Sequence, residues 1–268
     1  MAEYKAVSKA LHGTKTWHPL TDFKAFAGER TAPLVAAEFP KACITFPIAW
    51  IKNGDVFDPV ALLGLQPDEN LLINAQGKWI GTYVPAHYRT QPFRLMQTSD
   101  EQLTLGVRED IDLVTDSDSG NPFFNEEGEL SEELNELVNL LQKVESNRKA
   151  TALASTALNE AGLLEPWPLT PKIYGETKKL GGLYRVSQTA LNSVDAETLE
   201  HLRDTGAVAM AYCQQISQQL IQRLERLHEQ RSQAKTKRSS HPADQQSFGL
   251  GDDEGISFGG MAGTNDER

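Results

Sequence analysis

The chain has 268 residues, of which 39% are hydrophobic, so it can bury a substantial core in one large domain or two small ones. Its formal net charge of −11 argues against nucleic acid and anionic membrane surfaces as partners, because proteins that bind them carry basic patches. No stretch reaches the about 18 apolar residues of a membrane span, and the first residues lack the apolar segment of a signal peptide. We therefore expect a cytoplasmic protein without a membrane span.

The two cysteines, Cys43 and Cys213, lie far apart in the sequence and form no Cys-x-x-Cys motif. Their spacing does not decide between a disulfide and free thiols, but the tendency of free cysteine to be buried favours two buried thiols. The six histidines have no paired helical spacing, and no glycine-rich phosphate loop or G-x-S-x-G motif occurs. The sequence thus predicts no metal and no cofactor.

The front half reads as a series of short strands. The first two dozen residues predict a lead-in strand or a surface arm, and two apolar runs over residues 33–39 and 42–51 are rich in β-formers. Asn53-Gly54-Asp55 predicts a hairpin turn after the second run, and Pro47 indicates an edge strand or a bulge. Further short strands are expected over residues 60–63, 70–74, 79–84, 93–96, 103–107 and 111–114, which together indicate a curled antiparallel sheet.

The back half has helical periodicity. Ser131 is a good N-cap for a helix with apolar residues on one face, and a second helix should run from about Arg148 to Gly162. A short strand is expected over Leu183–Val186 and a helix over residues 195–205, which Gly206 ends. A long amphipathic helix follows, in which the apolar positions are Val208, Tyr212, Ile216, Leu220, Leu224 and Leu227.

These elements predict an α+β fold whose strand-rich part (about residues 1–128) packs against a helical part (about residues 129–230) in one domain. Residues 231–268 are first basic and then acidic, and they are rich in Ser, Gly, Asp and Gln. Such a composition does not bury enough apolar surface to offset the entropy of ordering, so we expect a disordered tail.

Short clusters of residues along most of the chain form a recognisable set. In the front half they are Pro33-Leu34 with Glu38-Phe39, Phe46-Pro47-Ile48, Ala61-Leu62-Leu63-Gly64-Leu65, Glu69-Asn70-Leu71, Gly77-Lys78-Trp79, Tyr83-Val84-Pro85-Ala86, Arg89 with Pro92-Phe93, and Phe123-Phe124 with Gly128-Glu129. In the back half they are Leu163-Leu164, Gly182-Leu183-Tyr184-Arg185-Val186 and Leu191. In order and spacing this set resembles the SapC family of bacterial proteins over roughly residues 8–228.

The resemblance implies a general biological role but no particular chemical reaction. The family name comes from a paracrystalline bacterial surface layer, and an unrelated inner-membrane permease shares it. The family brings no established activity or catalytic residues. Its members are often encoded beside outer-membrane receptors, flavin-dependent halogenase-like enzymes and cupin-like oxygenases, which implies an accessory role in uptake or tailoring of a small molecule. Ser187-Gln188 replaces the acidic pair expected after Val186, so no role of that pair is carried over.

The densest cluster of polar and aromatic residues is the best candidate for a binding site. It contains Trp79, Tyr83, His87 and Arg89, in which the arginine would bind a carboxylate or phosphate between aromatic walls. The alternative is a strand edge at which the aromatic rings pack and their polar ends reach water.

Two more polar residues lie within apolar surroundings. Glu38 interrupts an apolar run, so a buried position would require a partner such as Arg89 or Arg94, or would make it an acid or base. Asn70 is a further ligand-binding candidate, although it is more typical of a turn.

We therefore expect a non-catalytic binding or accessory protein for an anionic small molecule or a partner protein. One alternative is an enzyme in which Glu38 or His87 transfers a proton. Another is a surface-layer subunit, exported without a signal peptide.

Overall fold

The computed structural model describes residues 3–97, 103–117, 119–173 and 176–239, with side chains to residue 234. The strands are β1 (Lys5–Ala6), β2 (Thr16–Trp17), β3 (Thr31–Pro33), β4 (Ile48–Asn53), β5 (Val56–Leu62), β6 (Phe93–Gln97), β7 (Leu103–Val107), β8 (Val114–Thr115), β9 (Asn121–Pro122), β10 (Leu164–Pro166), β11 (Lys172–Ile173), β12 (Glu176–Thr177) and β13 (Leu183–Val186). The α-helices are α1 (Lys9–His12), α2 (Phe39–Ala42), α3 (Ala86–Arg89), α4 (Glu132–Glu160), α5 (Gln188–Leu191), α6 (Ala196–Asp204), α7 (Ala207–Ser217) and α8 (Ile221–Ser239). Short 3-10 turns cover Lys24–Phe26, Ala36–Glu38 and Gln218–Leu220.

The largest sheet is antiparallel and has the strand order β10-β13-β4-β5-β3. Its central hairpin joins β4 to β5, with Asn53 opposite Val56 and Gly54 at a φ of 59°, which confirms the predicted turn. Smaller sheets have the orders β1-β7-β6, β8-β2-β9 and β11-β12. Strands thus dominate the front half and helices the back half, which confirms the predicted α+β class.

The prediction that Pro47 marks an edge strand is wrong. The strand β4 is central, since β13 and β5 pair with its two sides. Pro47 stands just before the strand begins, where the backbone N–H that proline lacks is not needed. Its carbonyl oxygen accepts the Leu62 N–H at 2.8 Å, so the residue still joins the sheet.

Residues 33–39 form a strand only at their start, contrary to the prediction from their β-formers. The chain turns at Ala36–Glu38 and continues directly into α2. The Glu38 carboxylate accepts the Val35 N–H at 3.0 Å, which fixes the turn, and Pro40 suits the first turn of a helix.

The predicted strands over residues 70–74 and 79–84 are turns and bends joined by a single bridge between Ile73 and Trp79. Local side-chain bonds explain the difference, because asparagine side chains here satisfy backbone N–H groups that a sheet would use. Asn70 accepts the Leu72 N–H at 3.0 Å, and Asn74 accepts the N–H of Lys78 at 2.9 Å.

The helix α4 is one continuous helix of 29 residues, where two helices were predicted. Its start and end are as expected: Ser131 accepts the Leu134 N–H at 3.3 Å, and Gly162 follows with a φ of 67°. Its sequence contains no glycine or proline, so nothing interrupts it at the predicted junction. Arg148 also donates two hydrogen bonds to the carboxylate of Glu145, one turn earlier, and this bidentate ion pair stabilises the helix there.

Buried apolar residues form two clusters. The larger surrounds Trp50 and Phe39 beneath the five-stranded sheet, and the smaller surrounds Phe93 and Phe123. The helix α4 joins them, because Leu134 and Leu141 belong to the smaller cluster while Ala154, Ala157 and Leu158 belong to the larger.

The predicted long helix near the C-terminus is two helices, α7 and α8, separated by a 3-10 turn. Two residues of its predicted apolar stripe, Tyr212 and Ile216, are more than half exposed, whereas Leu224 is buried. The helix α8 continues to Ser239 and so extends past residue 231, where the sequence analysis places the start of the tail. Arg231 donates to the Asn70 carbonyl at 2.9 Å and thereby attaches this part of the helix to the core. The rest of the predicted tail, residues 240–268, lies outside the described residues.

Candidate functional site

The site is built around Glu38, which ends the turn before α2 and is 5% exposed. One carboxylate oxygen accepts the Tyr83 hydroxyl at 2.8 Å and the Ala86 N–H at 2.7 Å. The other accepts the Val35 N–H at 3.0 Å. A buried carboxylate is costly unless it is hydrogen-bonded, and these three donors meet that requirement.

Tyr83 lies between Glu38 and Arg89. Arg89, on the short helix α3, donates from Nη2 to the Tyr83 hydroxyl at 3.1 Å and from Nε to the Val84 carbonyl at 3.0 Å. Its guanidinium carbon lies 5.5 Å from the centre of the Tyr83 ring. The structure therefore brings Glu38 and Arg89 together through a tyrosine, where the sequence suggested a direct pair.

Burial, together with the nearby charge of Glu38, raises the pKa of Tyr83 to about 12, although Arg89 acts in the opposite direction. The phenol therefore keeps its proton at neutral pH. In that state it donates to Glu38 and accepts from Arg89, so Glu38, Tyr83 and Arg89 form one hydrogen-bonded chain.

This chain borders a pocket with a volume of about 190 Å³, which the helix α4 closes on its other side. The pocket is lined by Val35, Ala37, Glu38, Lys41, Tyr83, Ala86, Arg89, Leu140, Lys143, Val144 and Asn147. The α4 residues recur at positions 140, 143, 144 and 147, which places them on one face of a helix.

The pocket has an excess of positive charge. Lys41, Arg89 and Lys143 contribute three cations, against the single carboxylate of Glu38. In the part of the chain that the structure describes, the ammonium groups of Lys41 and Lys143 make no hydrogen bond or ion pair. Both lysines are exposed, so a bound anion can reach them from solvent.

The remaining walls of the pocket are apolar. Val35 and Ala37 line it from one side, and Leu140 and Val144 line it from α4. Apolar walls with a few polar groups are typical of small-molecule sites, in which the polar groups fix the orientation of the ligand.

Of the other predicted site residues, Trp79 and Asn70 do not line the pocket. The Trp79 indole donates to the Tyr83 carbonyl at 2.8 Å, and its ring packs against Tyr88 with ring centres 5.4 Å apart. Asn70 is fully buried, and its amide donates to the Phe26 carbonyl at 3.3 Å. Trp79 thus holds the backbone at Tyr83, whereas Asn70 holds the backbone at Phe26 and Leu72.

His87 points to a different group of residues. Its Nε2 lies 3.5 Å from a Glu29 carboxylate oxygen that also accepts the Tyr88 hydroxyl at 2.9 Å. The His87 ring packs edge-on against Phe26, with centres 6.4 Å apart. His87 is therefore not brought together with Glu38 and Arg89.

The sequence reasoning did not find Lys41 or any residue that α4 contributes. Lysines and leucines on helices are common, and nothing local links α4 to a segment about a hundred residues earlier. One signal was present: residues 140, 143, 144 and 147 share a helical face that combines apolar residues with a lysine and an asparagine.

Across the described residues, no three His, Cys, Asp or Glu side chains are grouped so as to hold a metal ion. Within those ranges, too, no helix combines the length and apolar character needed to cross a membrane.

The chain was compared with known proteins. Neither the curated proteins nor the solved structures gave a match. The model of one family, SapC, matches residues 7–224, a range that includes all the residues of the pocket. Because this match covers most of the 268 residues, the chain belongs to the SapC family.

Proposed function

We propose that this protein binds a small anionic molecule in the pocket between Glu38, Arg89 and α4, and does so without catalysing a reaction. The observation that carries the proposal is the set of three cations around the pocket, two of which have no protein partner among the described residues. A carboxylate or phosphate group at the mouth would neutralise them, and the planar guanidinium of Arg89 suits two-point contact with either group.

The shape of the pocket indicates the rest of the ligand. A cavity of roughly 150 Å³ in another protein holds benzene, so about 190 Å³ suits a single ring or a short branched chain. The apolar wall of Leu140 and Val144 would contact that body. Glu38 is buried and disfavours a second negative charge beside it, so we place the anionic group near the exposed Lys41 and Lys143.

An enzyme that uses Glu38 or His87 for proton transfer has less support. Both oxygens of Glu38 already accept hydrogen bonds from protein groups, which gives the carboxylate a structural role. Tyr83 holds its proton at neutral pH. His87 does not line the pocket. An accessory role in uptake or tailoring of the bound molecule is part of the proposal, and the family resemblance supports it.

Replacement of Arg89 tests the proposal. We expect Arg89→Ala to weaken binding of benzoate or inorganic phosphate by roughly 10- to 100-fold, because a charge-assisted hydrogen bond contributes about 1.5–3 kcal/mol. Isothermal titration calorimetry of both proteins gives the affinities. The fold should persist, since Arg89 is exposed, and urea denaturation checks this.

Matched variants control for a general effect of lost charge. Arg94→Ala removes an arginine that lies 4.7 Å from the Tyr4 ring, away from the pocket, and should leave the affinity unchanged. On α4, Lys143→Gln should weaken binding while Lys149→Gln should not, because only Lys143 lines the pocket. Equal affinities in Arg89→Ala and the wild type, or no binding of either probe to the wild type, would contradict the proposal.

A further inference from the structure

The two cysteines of the chain, far apart in the sequence, meet in the fold. Cys43 directly follows α2, and Cys213 lies in α7, a helix that packs against α2. Both side chains belong to or pack against the larger apolar cluster, and the Cys43 thiol contributes to the raised pKa of Cys213 as a neighbouring group. Both are free in this structure.

The two thiols differ in access to solvent. Cys43 is 6% exposed, and its sulfur lies 3.5 Å from the Pro40 carbonyl, to which it donates. Cys213 is only half-buried, at the edge of the larger apolar cluster. A small oxidant would therefore reach Cys213 first, with Cys43 beside it to complete the reaction.

We propose that Cys43 and Cys213 are a redox modification site that forms an internal disulfide by exchange with a small-molecule disulfide such as oxidised glutathione. The Cys213 thiolate attacks one glutathione sulfur, forming a mixed disulfide and releasing one reduced glutathione. The Cys43 thiolate then attacks the Cys213 sulfur, forming the protein disulfide and releasing the second. The two cysteines lose two protons and two electrons, and the glutathione disulfide gains them.

The position of this bond gives it a consequence for the pocket. The helix α2 carries Lys41 and begins immediately after Glu38, and both residues line the pocket. A disulfide at Cys43 would tie that wall to α7. Most of the chain lies between the two cysteines, so the bond also closes a very long loop and restricts the unfolded chain strongly.

The exchange has a defined pH dependence. Burial, reinforced by the neighbouring Cys43, raises the pKa of Cys213 to about 11. The thiolate is the reacting form, so its fraction rises about tenfold for each pH unit below that value. The initial rate of exchange should therefore increase by about that factor from pH 7 to pH 8 and again from pH 8 to pH 9.

The test uses the full chain with oxidised glutathione, followed by mass spectrometry of the intact protein and of its peptides. We expect a monomer that has lost two hydrogens, a cross-linked peptide containing Cys43 and Cys213, and a Tm higher by about 5–15 °C than that of the reduced protein. The Cys43→Ser variant should stop at the glutathione adduct on Cys213, and Cys213→Ser should react little. A wild-type product that remains a glutathione adduct, or that links two chains, overturns the proposal.

Discussion

A single buried histidine shows how one residue can make the stability of this protein depend on pH. His12 is fully buried, its ring centre is 5.0 Å from that of Phe123, and its Nε2 has no hydrogen-bond partner among the described residues. The nearest carboxylate, Glu109, is 3.8 Å from Nε2 and pairs instead with Lys5 and Lys15 at 2.7 and 2.6 Å. Burial therefore lowers the pKa of His12 below its usual 6.5.

This shift predicts that folding weakens in mild acid. Below about pH 6.5 the unfolded chain takes up a proton on His12 that the folded protein resists, so the free energy of unfolding falls as the pH decreases. Urea denaturation at pH 7.5 and pH 5 should show a smaller loss of stability in His12→Asn than in the wild type. The same loss in both proteins would show that His12 does not contribute.

The low pKa of Glu109 affects the stability of the protein at a lower pH than His12 does. Hydrogen bonds from Lys15 and Lys5 hold that pKa at about 2, so the stability it provides is lost only as the pH falls from about 4.5 towards 2. The measurement between pH 7.5 and pH 5 therefore separates the two groups.

At the residue scale, the sequence predicts which side chains are unusual better than it predicts what they contact. Glu38, Tyr83 and Arg89 were selected because a charge in an apolar run and an arginine among aromatics need an explanation. The position of Tyr83 between Glu38 and Arg89 could not be predicted, since it depends on how the turns bring residues 38 and 83 together. Lys41 and Lys143 gave no signal because exposed lysines are ordinary.

At the scale of elements, the ends of helices can be predicted from the sequence, because a single residue often determines where a helix begins or ends. Gly162, which follows α4, has a φ of 67°, and a Cβ at this position would meet no atom within 4 Å. A larger residue at this position would therefore lower the stability only because its backbone would have to adopt the left-handed conformation.

We expect Gly162→Ala to lower the free energy of unfolding by about 1 kcal/mol. Gly181 provides the control, since a Cβ there also meets nothing and its φ is outside the left-handed region. Gly181→Ala should be neutral or slightly stabilising, because it reduces the entropy of the unfolded chain. Urea denaturation of both variants measures the difference, and equal effects would contradict this account.

Elements whose form depends on tertiary contacts were predicted less well. The β-formers of residues 33–39 suggested a strand, but Glu38 and Pro40 stabilise a turn and a short helix once the carboxylate meets its partners. The Phe93–Gln97 and Leu103–Val107 strands were predicted closely, because the two pair with each other along their whole length.

At the scale of the whole molecule, the two halves share one sheet. The strand β13 from the helical half pairs with β4 from the strand-rich half, with Tyr184 opposite Trp50. The Trp50 indole, which is fully buried, donates to Ser155 of α4 at 3.0 Å. Removal of the helical half would expose this tryptophan and leave β4 with one unpaired side.

We therefore expect a fragment of residues 1–128 to lack cooperative folding, whereas the full chain unfolds in one transition. Tryptophan fluorescence and circular dichroism during urea denaturation test both statements, and their midpoints should coincide in the full chain. A cooperative transition in the fragment would show that the strand-rich part is an independent domain.

The class of fold was predictable because it follows from the periodicity of long segments. The sharing of a sheet between the halves was not, since β13 is short and its partner β4 lies far away in the sequence. Pairing between distant strands depends on many weak side-chain preferences together, and no single residue indicates it.

The run of α4 between the two apolar clusters has a consequence for how the family can diversify. Lys143, Val144 and Asn147 lie between the residues by which α4 enters the smaller cluster and those by which it enters the larger, and Leu140 directly precedes Leu141 of the smaller cluster without belonging to it. Because neither cluster includes these four side chains, exchanges among them would change the lining of the pocket at little cost in stability. The lining of the pocket can therefore change while the packing of α4 at its two ends stays the same.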